Sequence, residues 1–404
     1  MLGLVLEGGG ARGAYQIGAY KALKEEGYIF NGISGTSIGA LNGALIVQGD
    51  DEKAYELWEN LHPEELFGIP LNSWNFLMDG DFQFSDIPEL FKTLQSIVRQ
   101  KGLDVHKVKS LLSKVIHEEA LRNSPLDFGF VTYSLSDRKT LEYYKEDIPQ
   151  GKMTEYLLAS ANLPIFQIEK LGGKLLIDGG VSDNLPVQLL MQKGYLDLII
   201  IRTFAIGVVR KFNKKSLKTL FIEPSEDLGN ILDFKPKKAK YLLQLGYFDT
   251  KKKLQNLKGH AYYIQVRNDE DFYVNLIKSF CSEDVEELAR KMDLQGISPY
   301  RLMFEHIMPL VSEALGLSRQ ATYEDLVLGI AEWMAKALNI KRFEVYSAEA
   351  FLSSIKNNPK AVKIFHPTKK IPSLLIKNEF GAKLFKESIL QEIAWFIVNK
   401  GAPK

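Results

Sequence analysis

Two strand, glycine-turn, helix units follow one another in the first fifty residues, and they constrain the fold more than anything else in the chain. Leu2–Leu6 is a short apolar run that ends in Glu7-Gly8-Gly9-Gly10, the pattern of a buried parallel strand entering a tight turn. A helix is predicted from Ala14 to Glu26, where Ile17, Tyr20 and Leu23 recur every three residues and Gly27 stands at the C′ position. Tyr28–Ile33 reads as the next strand. It runs into Ser34-Gly35-Thr36-Ser37-Ile38-Gly39, after which Ala40, Gly43 and Ala44 give a second helix small residues on its packed face. Two such units in succession imply right-handed crossovers, a mostly parallel sheet and an α/β fold.

The rest of the chain divides by pattern. Residues 50–123 read as a helical insertion, with Leu57, Trp58, Leu61 and Leu66 in one block and Ile87, Leu90, Leu94, Ile97 and Val98 in another. An aromatic loop from Trp74 to Phe84 lies between them. Phe128–Ser134 and Thr140–Tyr144 alternate around a polar turn, as a hairpin does. Met153–Ala161 is predicted to be a short helix. Lys174–Ile177, Leu196–Arg202 and Ala261–Val266 read as strands, the first ending in Asp178-Gly179-Gly180. Beyond about residue 281, Asp284–Met292, Arg301–Ala314, Asp325–Ala337 and Lys383–Val398 carry helical patterns, so a mainly helical region over 261–404 is expected after a first domain over 1–260. A chain of 404 residues is long enough for two or three domains.

Composition narrows the function classes. The net charge of +1 supplies no global field for nucleic acid. The one cysteine, Cys281, cannot close an internal disulfide, which suits a reducing compartment, so a cytoplasmic setting is expected. No apolar run reaches the ~18–20 residues of a membrane-spanning helix, so any membrane contact is expected at the surface. No zinc or calcium ligand pattern occurs, and no cofactor is expected.

Three glycine-framed turns could carry chemistry. Gly35-Thr36-Ser37-Ile38-Gly39 fits G-x-S-x-G between a strand and a helix, the setting in which a serine is held out of a sheet as a nucleophile. The plain alternative is a glycine turn with an incidental serine. Gly8-Gly9-Gly10-Ala11-Arg12-Gly13 has two chemical readings. It matches a dinucleotide fingerprint, which expects an acidic residue at the end of the next strand, where this chain has Ser34-Gly35-Thr36-Ser37. It also suits an oxyanion hole of converging N–H groups, with Arg12 adding charge. Close packing of strand on helix would explain the glycines without either. Asp178 stands at the C-terminal end of a strand, the edge where open parallel sheets bind ligands, and it could serve as a base or simply cap the next turn.

Taken together, Gly3–Gly13, Gly35–Gly39, Ala159-Ser160-Ala161-Asn162-Leu163-Pro164, Asp178-Gly179-Gly180 and Asp183-Asn184-Leu185-Pro186 resemble the patatin-like phospholipase family, in the same order. Leu232-Asp233-Phe234 with Gly246-Tyr247 resembles the end of the bacterial form of that domain, so the likeness covers about residues 1–260. It implies a three-layer patatin-like fold and a Ser–Asp dyad without a catalytic histidine: Ser37 the nucleophile and Asp178 the base. It also implies an oxyanion hole from Gly8, Gly9, Gly10, Arg12 and the Ile38 N–H. Gly13, Gly35, Gly39, Gly179 and Gly180 would support these motifs. Ile38 stands where the family commonly has a smaller residue. Hydrolysis of lipid carboxylic esters through an acyl-enzyme is the expected activity. A thioesterase or acyltransferase with the same dyad, and an inactive membrane- or partner-binding protein, are the alternatives.

A hydrolase triad would need a histidine. His260 is the best placed of those that follow Asp178, and it reads as structural because only one full strand–helix unit precedes the Ser37 turn. From Arg202 to Lys258 there are fourteen Lys or Arg against five Asp or Glu, which would suit an anionic membrane surface or, equally, a solvated basic face. Trp74, Phe76, Leu77, Phe82 and Phe84 could form an acyl-chain cap, or pack as core.

Overall fold

The computed structural model describes residues 1–67, 105–162, 170–267 and 269–399, apart from 281, 293, 295, 319 and 368–378. The aromatic loop expected from Trp74 to Phe84, the helical pattern read from Ile87 to Val98, and Cys281 all fall outside the described residues. So does the acyl-chain cap that Trp74, Phe76, Leu77, Phe82 and Phe84 could form. The chain divides into two compact units, Met1–Lys253 and Leu254–Lys404.

The first unit is built on a mostly parallel sheet hydrogen-bonded in the order β5-β6-β3-β2-β1-β7-β8, with β4 also paired to β3. Its strands are β1 (Leu2–Leu6), β2 (Gly32–Thr36), β3 (Asp127–Ser134), β4 (Lys139–Tyr144), β5 (Lys170–Leu171), β6 (Lys174–Asp178), β7 (Asp197–Ile201) and β8 (Lys218–Ile222). Central β1 lies parallel between β2 and β7. Its Leu4 and Leu6, like Ile199 and Ile201 of β7, are almost wholly removed from solvent. Each such side chain contributes roughly 1.5–3 kcal/mol of hydrophobic stabilisation.

Helix α1 (Gly13–Glu25) follows β1 and stops where the sequence indicates. Gly27 has φ +83°, and the N–H groups of Gly27 and Tyr28 return to the carbonyls of Lys24 and Leu23, closing the last turn. The second strand differs from the expected Tyr28–Ile33: it begins at Gly32 and continues through Ser34-Gly35-Thr36. Ile29 is exposed in the connection, while neighbouring β1 and β3 bury the polar end of β2 on both edges. Tertiary pairing overrides β-propensity here. Ser34 and Thr36 tolerate burial because their hydroxyls donate to the carbonyls of Pro186 (2.9 Å) and Asp183 (2.8 Å).

A second difference concerns β6. Asp178 does end a strand, as expected, but within the mostly parallel sheet β6 runs antiparallel to β3. Residues 129–131 of β3 pair with both β2 and β4, and residues 132–134 with both β4 and β6. A strand has two edges, so β2 and β6 share one edge of β3 and meet end to end. Thr36 is opposite Val131 and Asp178 is opposite the next residue, Thr132.

The second unit is mainly helical. Its helices include Glu270–Lys278, Ser282–Lys291, Tyr323–Ala337, Ala348–Lys356 and Glu379–Asn399. The expected strand at 261–266 is the shorter Tyr263–Gln265, paired in parallel with Val345–Ser347. Tyr273, Ile307, Val311, Phe351 and Ile389 are in its core.

Candidate active site

The head-to-head meeting of β2 and β6 puts two side chains from distant sequence into contact. The Ser37 hydroxyl donates to Asp178 Oδ2 at 2.6 Å, and both residues are buried. Ser37 caps helix α2 (Ile38–Val47) with φ 56° and ψ −126°, a backbone conformation that costs a non-glycine residue on the order of 1–3 kcal/mol. The flanking glycines make it attainable: a Cβ on Gly35 would come within 2.3 Å of the Gly39 carbonyl, and one on Gly39 within 2.4 Å of the Leu6 carbonyl oxygen. The Ser37 N–H donates to Ser160 Oγ (3.1 Å), whose hydroxyl in turn donates to the Val131 carbonyl (2.7 Å). Ser160, for which the sequence suggests no role, therefore fixes the turn from the Met153–Ser160 helix.

Among the described residues, Asp178 has no cation beside it. Oδ1 accepts the Gly180 N–H at 2.7 Å and Oδ2 accepts Ser37. Burial pushes the carboxyl up to about 6, and the Ser37 and Gly180 hydrogen bonds only partly offset this. Asp183, pushed to about 6 by the same cause, is held 3.3 Å from Arg210. Geometry, not the raised value, separates the two: only Asp178 touches the serine.

The glycine loop lies against this pair. A Cβ on Gly8 would be 3.3 Å from Ser37 Cβ and 2.1 Å from Asn184 Oδ1, and one on Gly13 would be 2.5 Å from Ile38 Cγ1. The loop's donors differ from expectation in two respects. The Gly8 N–H is already used by the Asn184 carbonyl at 3.0 Å, which removes it from the set of free donors. The Arg12 guanidinium donates to the carbonyls of Gly229 (2.8 Å), Thr203 (2.9 Å) and Phe204 (2.8 Å), so it anchors the loop through neighbouring chain segments. Among the described residues, the N–H groups of Gly9, Gly10 and Ile38 have no acceptor, and Gly10 and Ile38 are partly exposed.

Asn184 is the junction that sequence reasoning missed. Its carbonyl accepts from Gly8 and its N–H donates to the Val208 carbonyl (2.6 Å), while the Val208 N–H donates to the Gly180 carbonyl (2.9 Å). The Asp183-Asn184-Leu185-Pro186 motif thus ties β2, the glycine loop and the turn after Asp178 together. His260 belongs to the second unit, where its backbone N–H donates to Glu332. Among the described residues, no group of three or more His, Cys, Asp or Glu side chains could hold a metal ion, and no helix is long and apolar enough to cross a membrane.

Residues 4–191 match the family model described as Patatin-like phospholipase. The lysophospholipase nte1 of Aspergillus terreus is 31% identical over 191 residues, which are 46% of this chain and 11% of that protein. A patatin-like phospholipase domain-containing protein, ZK370.4 of Caenorhabditis elegans, is 26% identical over 196 residues, 48% of this chain and 13% of that protein. The chain thus spans about a tenth of the length of the curated relatives it matches. VipD of Legionella pneumophila superposes with a TM-score of 0.40 at 15% identity, over 99% of this chain and 92% of that one. Residues 4–191 are therefore a domain of the patatin-like phospholipase family.

Proposed function

We propose that this chain is a serine lipid acyl hydrolase of the phospholipase A or lysophospholipase type. The 2.6 Å hydrogen bond between a strained, buried serine and a desolvated carboxylate carries the reading. Asp178 removes the hydroxyl proton as Ser37 Oγ attacks an ester carbonyl. The N–H groups of Gly9, Gly10 and Ile38 stabilise the resulting oxyanion, aided by the N-terminal end of helix α2. The tetrahedral species collapses as the proton on Asp178 passes to the leaving alcohol oxygen, leaving an acyl group on Ser37. Water then attacks this ester with Asp178 as base, and the proton returns to Ser37 as the fatty acid leaves.

A carboxyl near 6 suits both roles. It is mostly ionised at neutral pH and still basic enough to accept the proton. The test is hydrolysis of phospholipid and lysophospholipid by wild type, Ser37→Ala and Asp178→Asn, with folding checked by circular dichroism. Loss of turnover in both variants is expected; full activity in either one removes the dyad. The relatives named as lysophospholipases make the lysophospholipid the first substrate to try.

A further inference from the structure

The connection from β7 to β8 exposes a cluster of apolar side chains beside the dyad. Phe204, Ile206, Val208 and Val209 are each between 41% and 51% exposed, and Val181, in the turn that follows Asp178, is 45% exposed. They share one place on the surface, because Val208 is hydrogen-bonded on both sides to the Gly180–Asn184 segment. Scattered apolar residues need no explanation, but a contiguous group at the rim of a reactive site does.

The root of this loop is held rigidly. Phe204 has φ +47°, a left-handed conformation rare for a bulky aromatic residue. Its N–H donates to Glu7 Oε2 (3.0 Å) and its carbonyl accepts from Arg12 (2.8 Å), while the Arg202 guanidinium lies 4.6 Å from its ring centre. A strained backbone held by two ionic side chains keeps a half-exposed ring at the rim.

Charge then selects the partner. From Thr203 to Ile222 there is no acidic residue, but there are five cations. Arg210 is paired with Glu142 and Asp183, and Lys218 with Asp197. Lys211, Lys214 and Lys215 are exposed and have no carboxylate partner among the described residues. Lys214 also lines an open recess with Arg202 and Lys253, in which Glu223 is the one acid. An apolar tip beside unpaired lysines matches the layering of an anionic lipid surface, with acyl chains inside and phosphates outside.

The geometry points to residues 204–215 as the segment that docks this protein on an anionic lipid surface and brings the Ser37 site to the bilayer. The proposal takes its meaning from the hydrolase reading, but binding is measured without turnover, on the full chain carrying Ser37→Ala. The probe is co-sedimentation with vesicles of phosphatidylcholine, with and without phosphatidylserine. Binding that strengthens with phosphatidylserine is expected. Lys211→Gln, Lys214→Gln and Lys215→Gln together should weaken it roughly a hundredfold, at about fivefold per lysine. Ile206→Ser with Val209→Ser should weaken it by about tenfold or more.

A gain-of-signal arm guards against misfolding: the indole introduced by Ile206→Trp should be quenched by brominated acyl chains. Absence of binding, equal binding by wild type and variants, or a buried indole untouched by the brominated lipid overturns the proposal. So does sedimentation velocity showing a stable dimer that the Ile206 and Val209 substitutions dissolve, since the patch would then be covered by a second copy. Vesicle binding without ester hydrolysis by wild type would remove the hydrolase and leave the docking; hydrolysis without binding would do the reverse.

Discussion

Each unit buries a carboxylate against backbone N–H groups, and the two are equipped for opposite ends. In the second unit, Glu332 accepts from the N–H groups of His260, Ala261 and Tyr262 at 2.8–3.0 Å. Its two oxygens are held by three fixed donors, which makes it a clamp for the 260–262 turn. In the first unit, Asp178 accepts one amide N–H and one hydroxyl, has no cation beside it among the described residues, and is pushed up to about 6. The same chemical group is a structural staple when its oxygens are filled by amide donors and, on the mechanism proposed above, a base when they are left short.

The largest expected effect breaks the comparison on the catalytic side. Asp178→Asn keeps the shape and removes the proposed base, so kcat/KM for ester hydrolysis should fall by about 10²–10⁴, measured with a lipid substrate under steady-state conditions. Next comes the structural side. Glu332→Ala leaves three amide donors without an acceptor, and unfolding in urea should show a loss on the order of 3–6 kcal/mol.

Asp178→Asn should also raise stability at pH 8, the opposite sign to Glu332→Ala. The folded carboxyl titrates near 6 and the unfolded one near 3.8. Folding therefore takes up a proton between these values, and native stability is lost as pH rises through this window. The full penalty, about 3 kcal/mol, applies above it. Thermal unfolding of wild type and variant at pH 8 and pH 4 should show a gain of about 2–3 kcal/mol at pH 8 that shrinks towards pH 4. The smallest effect is Ser160→Ala, which orphans the Ser37 N–H and should cost about 1 kcal/mol in the same melt.

This contrast shows which parts of the molecule are legible in the amino-acid string. The helix ends, the hairpin and the order of the two opening strand–turn–helix units follow from local chemistry, whereas the bounds of β2 are set by its neighbours. Gly27 acts as a C′ residue and Gly35 and Gly39 admit a crowded turn, both properties of a few neighbouring residues. The meeting of Ser37 and Asp178 is of another kind. They are separated by 141 positions and join because β6 approaches β3 from the opposite direction and stops one residue above Thr36. Direction of pairing leaves no mark on Lys174–Asp178.

Donor availability is equally hidden. Gly8 looks like any other glycine in its loop until Asn184, 176 positions away, takes its N–H. Arg12, the obvious charge, is consumed by carbonyls of residues 203, 204 and 229. The exposure of the apolar residues from Phe204 to Val209 is likewise set by how the chain packs and not by their composition.

The dyad itself is tested most directly by the rate at which a fluorophosphonate labels the protein, followed by intact mass and peptide mapping across pH. Modification should fall on Ser37 alone, accelerate with an apparent pKa near 6, and nearly vanish in Asp178→Asn. Labelling at another serine, or an unchanged rate in Asp178→Asn, would contradict the account.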